Sequence, residues 1–295
     1  MDAAPAPEDW PETWPPPLPD ASGFVAPPVP GPLGALAAFG RACAGDPAGA
    51  LRVAGRALWL VAIAGLCVPA HALWRRLGWP SPWARRFLGW GARACGIRVR
   101  RIGDPVARDV FYIANHLSWT DALILGGQTG TVFVAQDGIA IWPGLAFICR
   151  QNDTIFVNRS DRMGVPAQIA AMREQFTRHS RIAMFPEATC SDGRRLLPFK
   201  APLFAMLTPP PPGARIQPVV IDCDEAGRNL AWVGMETGAA NAWRLLSHPG
   251  TWKARVHFLE PFSPDNTPDR KALSARARSA IAAKLSETLG GRPVG

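Results

Sequence analysis

An uncharged apolar stretch runs from Ala57 to Trp74 and predicts a helix. Its eighteen residues carry no formal charge when His71 is neutral, and Arg56 and Arg75 lie on either side of it. A helix of this length measures about 27 Å at ~1.5 Å per residue, slightly less than the ~30 Å hydrocarbon core of a bilayer. Three interpretations therefore fit the segment: a membrane-spanning helix, a helix that dips into one leaflet, or a buried core helix.

Aromatic and basic residues near the apolar stretch favour a membrane. Tryptophan is enriched at membrane interfaces, and arginine beside an apolar segment suits anionic head groups and the cytoplasmic side. Prolines and a glycine at 78–82 predict a break between two helices, so two short helices in the membrane compete with one spanning helix. The residues concerned are Trp59, Trp74, Trp79, Trp83 and Trp90, and Arg75, Arg76, Arg85, Arg86, Arg93, Arg98, Arg100 and Arg101.

From about residue 105 the pattern changes to short β-rich runs that alternate with helical stretches. This alternation predicts an α/β fold with a largely parallel sheet flanked by helices. We expect Thr267 to cap the last helix, with Pro268 in its first turn. The predicted strands are 110–114, 131–134, 154–157, 182–185, 216–221 and 253–259, and the predicted helices are 164–179 and 269–289.

Composition divides the chain into three parts. Residues 1–40 contain five acidic and no basic side chains, with eleven prolines in 1–34, and predict a disordered acidic tail. Residues 41–103 form the membrane-associated helical segment with its arginine-rich flank, and residues 104–295 form the α/β domain. The net charge of +9 raises the possibility of nucleic-acid binding, but the chain carries no nucleic-acid-binding motif, so we expect no such partner. The six cysteines lack C-x-x-C spacing, which argues against a zinc or redox site.

A histidine and an aspartate follow the first predicted strand of the α/β domain. On one continuous helix, His116 and Asp121 would lie about 140° apart and could not meet. A turn at His116 with a helix that begins near Ser118 brings the carboxylate back to the imidazole, where it fixes the tautomer and raises basicity. Such a pair fits a general base acting on a substrate hydroxyl. Ser118 is either a nucleophile or, as we favour, a helix cap.

Two further clusters also follow predicted strands. Arg159 offers a fork for phosphate, or else pairs with Asp161 as a surface residue. Glu187 lies in a loop of small and hydroxylic residues, which is either an anion site or a solvated loop with local ion pairs. Because the carboxyl ends of parallel strands meet at one sheet edge, we expect all three clusters to converge there. The loop also carries Thr189 and Ser191, and the cations Arg194, Arg195 and Lys200 follow it.

These residues resemble the glycerolipid acyltransferases, the 1-acylglycerol-3-phosphate acyltransferase family. Residues 115–121 read N-H-L-S-W-T-D and match the N-H-x-x-x-x-D block of that family. The later blocks follow in the family's order: I-F-V-N-R at 155–159, F-P-E-A-T-C-S at 185–191, F-K at 199–200 and Q-P-V-V at 217–220. The resemblance covers about residues 75–260.

The resemblance implies an O-acyltransferase that moves a fatty acyl group from acyl-CoA or acyl carrier protein to a lysophospholipid at a membrane surface. The favoured acceptor is 1-acylglycerol-3-phosphate, which gives phosphatidic acid. The family's catalytic pair falls on His116 and Asp121. Neither a cofactor nor a metal ion is implied, and the expected location is the cytoplasmic face of a bacterial inner membrane. Substrate-binding positions fall on Asn115, Arg159, Glu187, Thr189, Ser191 and Lys200.

Two positions depart from the family's third block. Ala188 stands where the family has glycine, and Cys190 stands where it has arginine. Loss of that guanidinium weakens the expectation of a phosphomonoester acceptor, unless Arg194 or Arg195 replaces it. The alternatives are another lysolipid acceptor such as lyso-ornithine lipid, a thioesterase, and a catalytically weak membrane lipid-binding protein.

Overall fold

The computed structural model describes residues 40, 42–136, 143–157, 165–223, 230–234, 236–265 and 267–294. The strands are β1 (Ile97–Ile102), β2 (Val110–Ala114), β3 (Val132–Gln136), β4 (Ile155–Val157), β5 (Arg181–Met184), β6 (Arg215–Cys223) and β7 (Trp252–Phe258). The helices are α1 (Pro47–Arg76), α2 (Trp83–Ala94), α3 (Thr120–Thr129), α4 (Pro143–Gln151), α5 (Val165–His179), α6 (Gly238–Ser247) and α7 (Arg270–Thr288), with a 3₁₀ helix at Ala201–Leu207.

All seven strands form one sheet in the order β1-β7-β6-β2-β5-β3-β4. Every neighbouring pair is parallel except β6 and β7, which are antiparallel. The central strand β2 is an unbroken apolar run, and all five of its residues are buried, as is usual for a parallel strand covered on both faces. The expected α/β class with a largely parallel sheet flanked by helices is confirmed.

Two apolar cores lie on opposite faces of the sheet. On one face, Phe111 of β2 stacks on Phe176 of α5 with ring centroids 4.3 Å apart, and α7 joins the same core. On the other face, Tyr112 packs against Phe258 and its hydroxyl donates to the Val106 carbonyl at 2.6 Å. Alternate residues of β2 therefore fix both layers, which makes the carboxyl end of this strand a rigid platform.

The last helix begins at Arg270, one residue later than the sequence predicts. Asp269, and not Thr267, is its N-cap, and its carboxylate accepts hydrogen bonds from the backbone N–H groups of Lys271 and Ala272, each at 2.8 Å. A carboxylate at this position also complements the helix dipole. The expected Thr267 cap is therefore wrong.

The apolar segment forms one helix, α1, which is longer than the eighteen uncharged residues. It spans 30 residues, about 45 Å, and the break predicted at 78–82 separates it from α2. Only 17% of its most apolar window is buried, so it is not a core helix. The exposed apolar side chains include Leu51, Leu58, Trp59, Val61, Leu66 and Leu73.

Polar contacts fasten α1 to the α/β domain at two places. Ten residues into the helix, the Arg56 guanidinium donates to four backbone carbonyls at the end of α6 and just beyond it, those of Leu245, Leu246, His248 and Gly250, at 2.9–3.1 Å. The first two belong to the last turn of α6 and have no partner within that helix, so the cation satisfies them. At the other end, Arg75 bonds to both carboxylate oxygens of Asp153 at 3.1 Å.

Candidate functional site

The candidate site lies where β2 and the neighbouring strand β5 end. The loop after β2 carries His116, and the loop after β5 carries Glu187, which bond to each other across the sheet edge. Two of the three sequence-predicted clusters therefore meet. The third, Arg159, lies outside the described residues.

His116 and Asp121 form the expected pair. The Nδ1 atom of His116 lies 2.7 Å from Oδ2 of Asp121. The carboxylate is 1% exposed, whereas the imidazole is 21% exposed and can be reached from outside. The buried carboxylate requires the proton on Nδ1, so Nε2 is the nitrogen that accepts a proton whenever the ring is neutral.

The loop backbone also holds the Asp121 carboxylate in place. The same Oδ2 atom accepts hydrogen bonds from the backbone N–H groups of Leu117 at 2.6 Å and Ser118 at 3.0 Å. Asp121 lies in the first turn of α3, where the helix dipole also favours a negative charge. The N-cap of α3 is Trp119, so the expected Ser118 cap is wrong. The Ser118 hydroxyl contacts the Thr120 hydroxyl at 2.6 Å and accepts from the Thr120 N–H at 3.2 Å, just before the helix.

Glu187 positions the main chain of His116. Its Oε1 accepts the backbone N–H of His116 at 2.7 Å, and its Oε2 accepts the backbone N–H of Leu197 at 2.8 Å. The side chain is buried, and burial raises its pKa to about 7 even though both backbone donors lower it. Two buried carboxylates thus hold one histidine, one at its ring and one at its backbone.

Asn115 and Ser191 also bind protein backbone. The buried Asn115 carboxamide donates to the Ile221 carbonyl at 2.9 Å and accepts from the Ile221 N–H at 2.7 Å, which ties the end of β2 to β6. The backbone N–H of Ser191 donates to the His116 carbonyl at 2.7 Å. Both residues therefore fix the loop that carries the base.

The described cations lie at the rim of the site. Lys200 and Thr189 are exposed, and Arg194 is exposed as well. Arg195 is paired with Asp192 at 3.3 Å, which neutralises much of its charge. Within the described part of the chain, no group of three or more metal-ligating side chains occurs.

Comparisons with known proteins match this geometry. The Acyltransferase family profile matches residues 98–222, which contain both loops. A lyso-ornithine lipid O-acyltransferase of Rhizobium meliloti is 30% identical, over 79% of this chain and 85% of that protein. A 1-acyl-sn-glycerol-3-phosphate acyltransferase of Neisseria gonorrhoeae is 31% identical, over 68% of this chain and 80% of that protein. The chain belongs to the acyltransferase family.

The fold of this acyltransferase is shared with a solved structure. The 1-acyl-sn-glycerophosphate acyltransferase from Thermotoga maritima superposes with a TM-score of 0.59, over 83% of this chain and 98% of that one, at 20% identity. The O-acyltransferase class expected from the sequence is confirmed by the family and its named relatives, and the solved structure shows that the fold is shared.

Ala188 occupies a backbone conformation that normally requires glycine. Its φ is +67°, and its N–H closes a turn onto the Phe185 carbonyl at 3.2 Å. A side chain in this left-handed region costs roughly 1–2 kcal/mol. This strain lies at the residue directly after Glu187.

Cys190 acts on the His116–Asp121 pair, which the sequence did not predict. Its interaction with the His116 imidazole raises the pKa of that ring. Phe185 stacks on the imidazole, with ring centroids 4.4 Å apart, and fixes the ring plane. The only sequence signal for Cys190 was its departure from the family's arginine, and Phe185 gave none beyond its place in the motif.

The charge state of His116 reflects these neighbours. Burial lowers its pKa, but interactions with Cys190 and Asp121 outweigh burial and raise the pKa to about 10. The imidazole is therefore protonated at neutral pH and must pass that proton on before it can act as a base.

Proposed function

We propose that the protein transfers a fatty acyl group from an acyl thioester to the free hydroxyl of a lysolipid. His116 in its neutral form takes the hydroxyl proton, and the resulting alkoxide attacks the thioester carbonyl. Asp121 keeps the accepting nitrogen towards the lipid and stabilises the imidazolium that forms. The observation that carries this proposal is the 2.7 Å contact between Nδ1 of His116 and Asp121 at the end of a buried strand.

The test compares His116→Ala with a histidine variant outside the site. General-base help is worth about 10²–10⁴-fold, so His116→Ala loses practical turnover when labelled acyl-CoA and lysolipid are supplied and the lipid product is separated. His248→Ala, on the loop after α6, keeps wild-type turnover. Near-normal product from folded His116→Ala would remove the imidazole from the mechanism.

Two acceptors compete for this site. The motif order favours lysophosphatidate, and the Neisseria relative is named for that acceptor. The side chain at position 190 favours lyso-ornithine lipid, because a thiol replaces the guanidinium that would bind a phosphomonoester. The Rhizobium relative, named for lyso-ornithine lipid, also matches a larger share of this chain.

We therefore expect lyso-ornithine lipid to react faster than lysophosphatidate. A panel of both acceptors with one labelled acyl-CoA, each at several concentrations, gives kcat/KM for each. A larger kcat/KM for lysophosphatidate would assign the phosphomonoester instead. Replacing acyl-CoA by acyl carrier protein in the same panel identifies the donor.

The location proposed is the cytoplasmic face of the bacterial inner membrane, with α1 lying in one leaflet. Arg56, ten residues into α1, and Arg75, near its end, both bond to the α/β domain, which supports a helix that lies along the membrane and does not cross it. Its exposed apolar side chains then face the acyl chains. Single added cysteines at Ala48 and Arg76, in a background without native cysteines, should react with an impermeant reagent from the same side. Reaction from opposite sides would establish a spanning helix.

A further inference from the structure

Strands β1 and β7 carry four cations side by side on one face of the sheet. The register of these parallel strands places Arg98 directly opposite Lys253, and it places Arg100 opposite Arg255 in the same way. We call these four residues the basic ladder. The first three are exposed, and Arg255 is half-buried with its guanidinium 2.6 Å from the Asp222 carboxylate.

The basic ladder has an excess of positive charge. Like charges directly opposite each other on neighbouring strands are destabilising. Within the part of the chain that the structure describes, no acidic side chain forms an ion pair with Arg98, Arg100 or Lys253. An anionic surface bound at the ladder would supply the charge that the sheet itself lacks.

The ladder lies on the opposite face of the sheet from α1. Ile97 of β1 and Trp252 and Ala254 of β7 belong to the core that α2 and α3 cover, and Leu60 of α1 packs against the same core. Successive side chains of a strand point to opposite faces, so the ladder residues between them point away from this core. A lipid surface that contacts α1 is therefore a poor candidate for the anion.

The ladder begins at the same edge of the sheet as the candidate site. β6 runs parallel to β2, and β7 runs antiparallel to β6 with Ala254 opposite Cys223. β7 and its parallel neighbour β1 therefore start at the edge where β2 ends and His116 follows. Three strand spacings of ~4.8 Å separate β1 from β2, about 14 Å in all. A donor docked on the ladder would lie close to the base.

We propose that the basic ladder is the docking surface for an acidic carrier protein that presents the acyl thioester to His116. This inference rests on the proposed acyl transfer and names acyl carrier protein, whose acidic surface complements the ladder, as the donor. An open strand face suits a protein better than CoA, because a small ligand needs a concave site that buries most of its surface. Exposed cations attract an acidic protein mainly by raising its association rate.

The test variant reverses charge without weakening the sheet. Arg98→Glu/Arg100→Glu places each new carboxylate opposite a cation of β7, so like-charge pairs become opposite-charge pairs and Tm should not fall. Arg270→Glu/Lys271→Glu is the matched control. It makes the same change in net charge at two exposed positions at the start of α7.

The assay supplies one fatty acyl group on acyl carrier protein or on CoA to the full-length protein in vesicles with lysolipid. Arg98→Glu/Arg100→Glu should lose at least tenfold in kcat/KM with acyl carrier protein, while kcat stays unchanged. With acyl-CoA its kcat/KM should stay within about twofold of wild type, and the control variant should keep wild-type values with both donors. Added salt should lower the wild-type kcat/KM with acyl carrier protein more steeply than that of Arg98→Glu/Arg100→Glu, because salt screens exposed charges.

The two donors separate the possible outcomes. Unchanged kcat/KM of Arg98→Glu/Arg100→Glu with acyl carrier protein, or an equal loss with both donors, would overturn the docking surface. Loss of vesicle binding by this variant would assign the ladder to lipid head groups and refute the proposal as well. A wild-type enzyme that uses acyl-CoA and not acyl carrier protein would refute the docking while acyl transfer stands. Absence of lipid product with either donor would refute the proposed function itself.

Discussion

Asp121 offers a graded test of how the histidine is activated. One oxygen, Oδ2, accepts all three hydrogen bonds, from the His116 ring and from the N–H groups of Leu117 and Ser118. An asparagine can place its carbonyl oxygen at that point and keep all three bonds with the same tautomer. Asp121→Asn therefore removes the charge and leaves the orientation intact.

The magnitude follows from the difference between charged and neutral acceptors. A hydrogen bond to a charged group contributes about 1.5–3 kcal/mol and a neutral one about 0.5–1.5 kcal/mol. Losing that difference at the protonated ring costs about 1–2 kcal/mol, or roughly 5–30-fold in kcat. Asp121→Ala instead leaves two buried N–H groups and the ring without their acceptor, and we expect about 10²–10⁴-fold loss.

The assay is kcat at saturating labelled acyl-CoA and lysolipid, with folding of each variant checked by circular dichroism. The expected order is wild type, then Asp121→Asn, then Asp121→Ala close to His116→Ala. Equal loss in the asparagine and alanine variants would show that the amide does not keep the ring orientation. An alanine variant within fivefold of wild type would refute the orienting role altogether.

Three further substitutions test the surrounding structure. The raised pKa of Glu187 means that the folded state binds its proton more tightly, so the free energy of unfolding falls as pH rises from about 4.5 to about 7. Glu187→Gln should flatten that dependence in thermal unfolding at several pH values. Ala188→Gly should raise Tm by about 1–3 °C, because glycine adopts a positive φ without strain. The control Ala283→Gly, at an exposed position of α7, should lower Tm, because glycine weakens a helix. Gly127→Ala should lower Tm, because its Cβ would lie 2.6 Å from the Gly89 Cα, whereas Gly89→Ala meets nothing nearer than 3.5 Å.

The sequence predicts the elements in which apolar residues follow one another without interruption by charged residues. β2 is recognised because every residue is apolar and buried. β1 is not predicted, since Arg98, Arg100 and Arg101 make it look like the basic flank of the apolar helix. The structure places it at the sheet edge beside β7, where those side chains can be exposed. Arg101 interrupts the alternation of apolar and charged residues in β1, so the strand can be recognised only once its pairing with β7 is known.

The candidate site is also only partly predictable from the sequence. The His116–Asp121 pair is local, so spacing after a strand predicts it. The hydrogen bond from the His116 N–H to Glu187 joins residues 71 apart, and no pattern within one segment encodes it. The effect of Cys190 on the imidazole also depends on how two loops meet. The departure from the motif identifies position 190 but not its influence on His116.

The arrangement separates the acyl-transfer chemistry from recognition of the lipid head group. Asp121 and Glu187 are buried, and their oxygens accept hydrogen bonds from the ring and backbone of His116 and from other backbone N–H groups. In the proposed reaction these carboxylates position the base and do not themselves bind a head group. We expect head-group recognition from exposed side chains such as Thr189 and Lys200. Exposed side chains of this kind can change without moving the buried residues that hold His116.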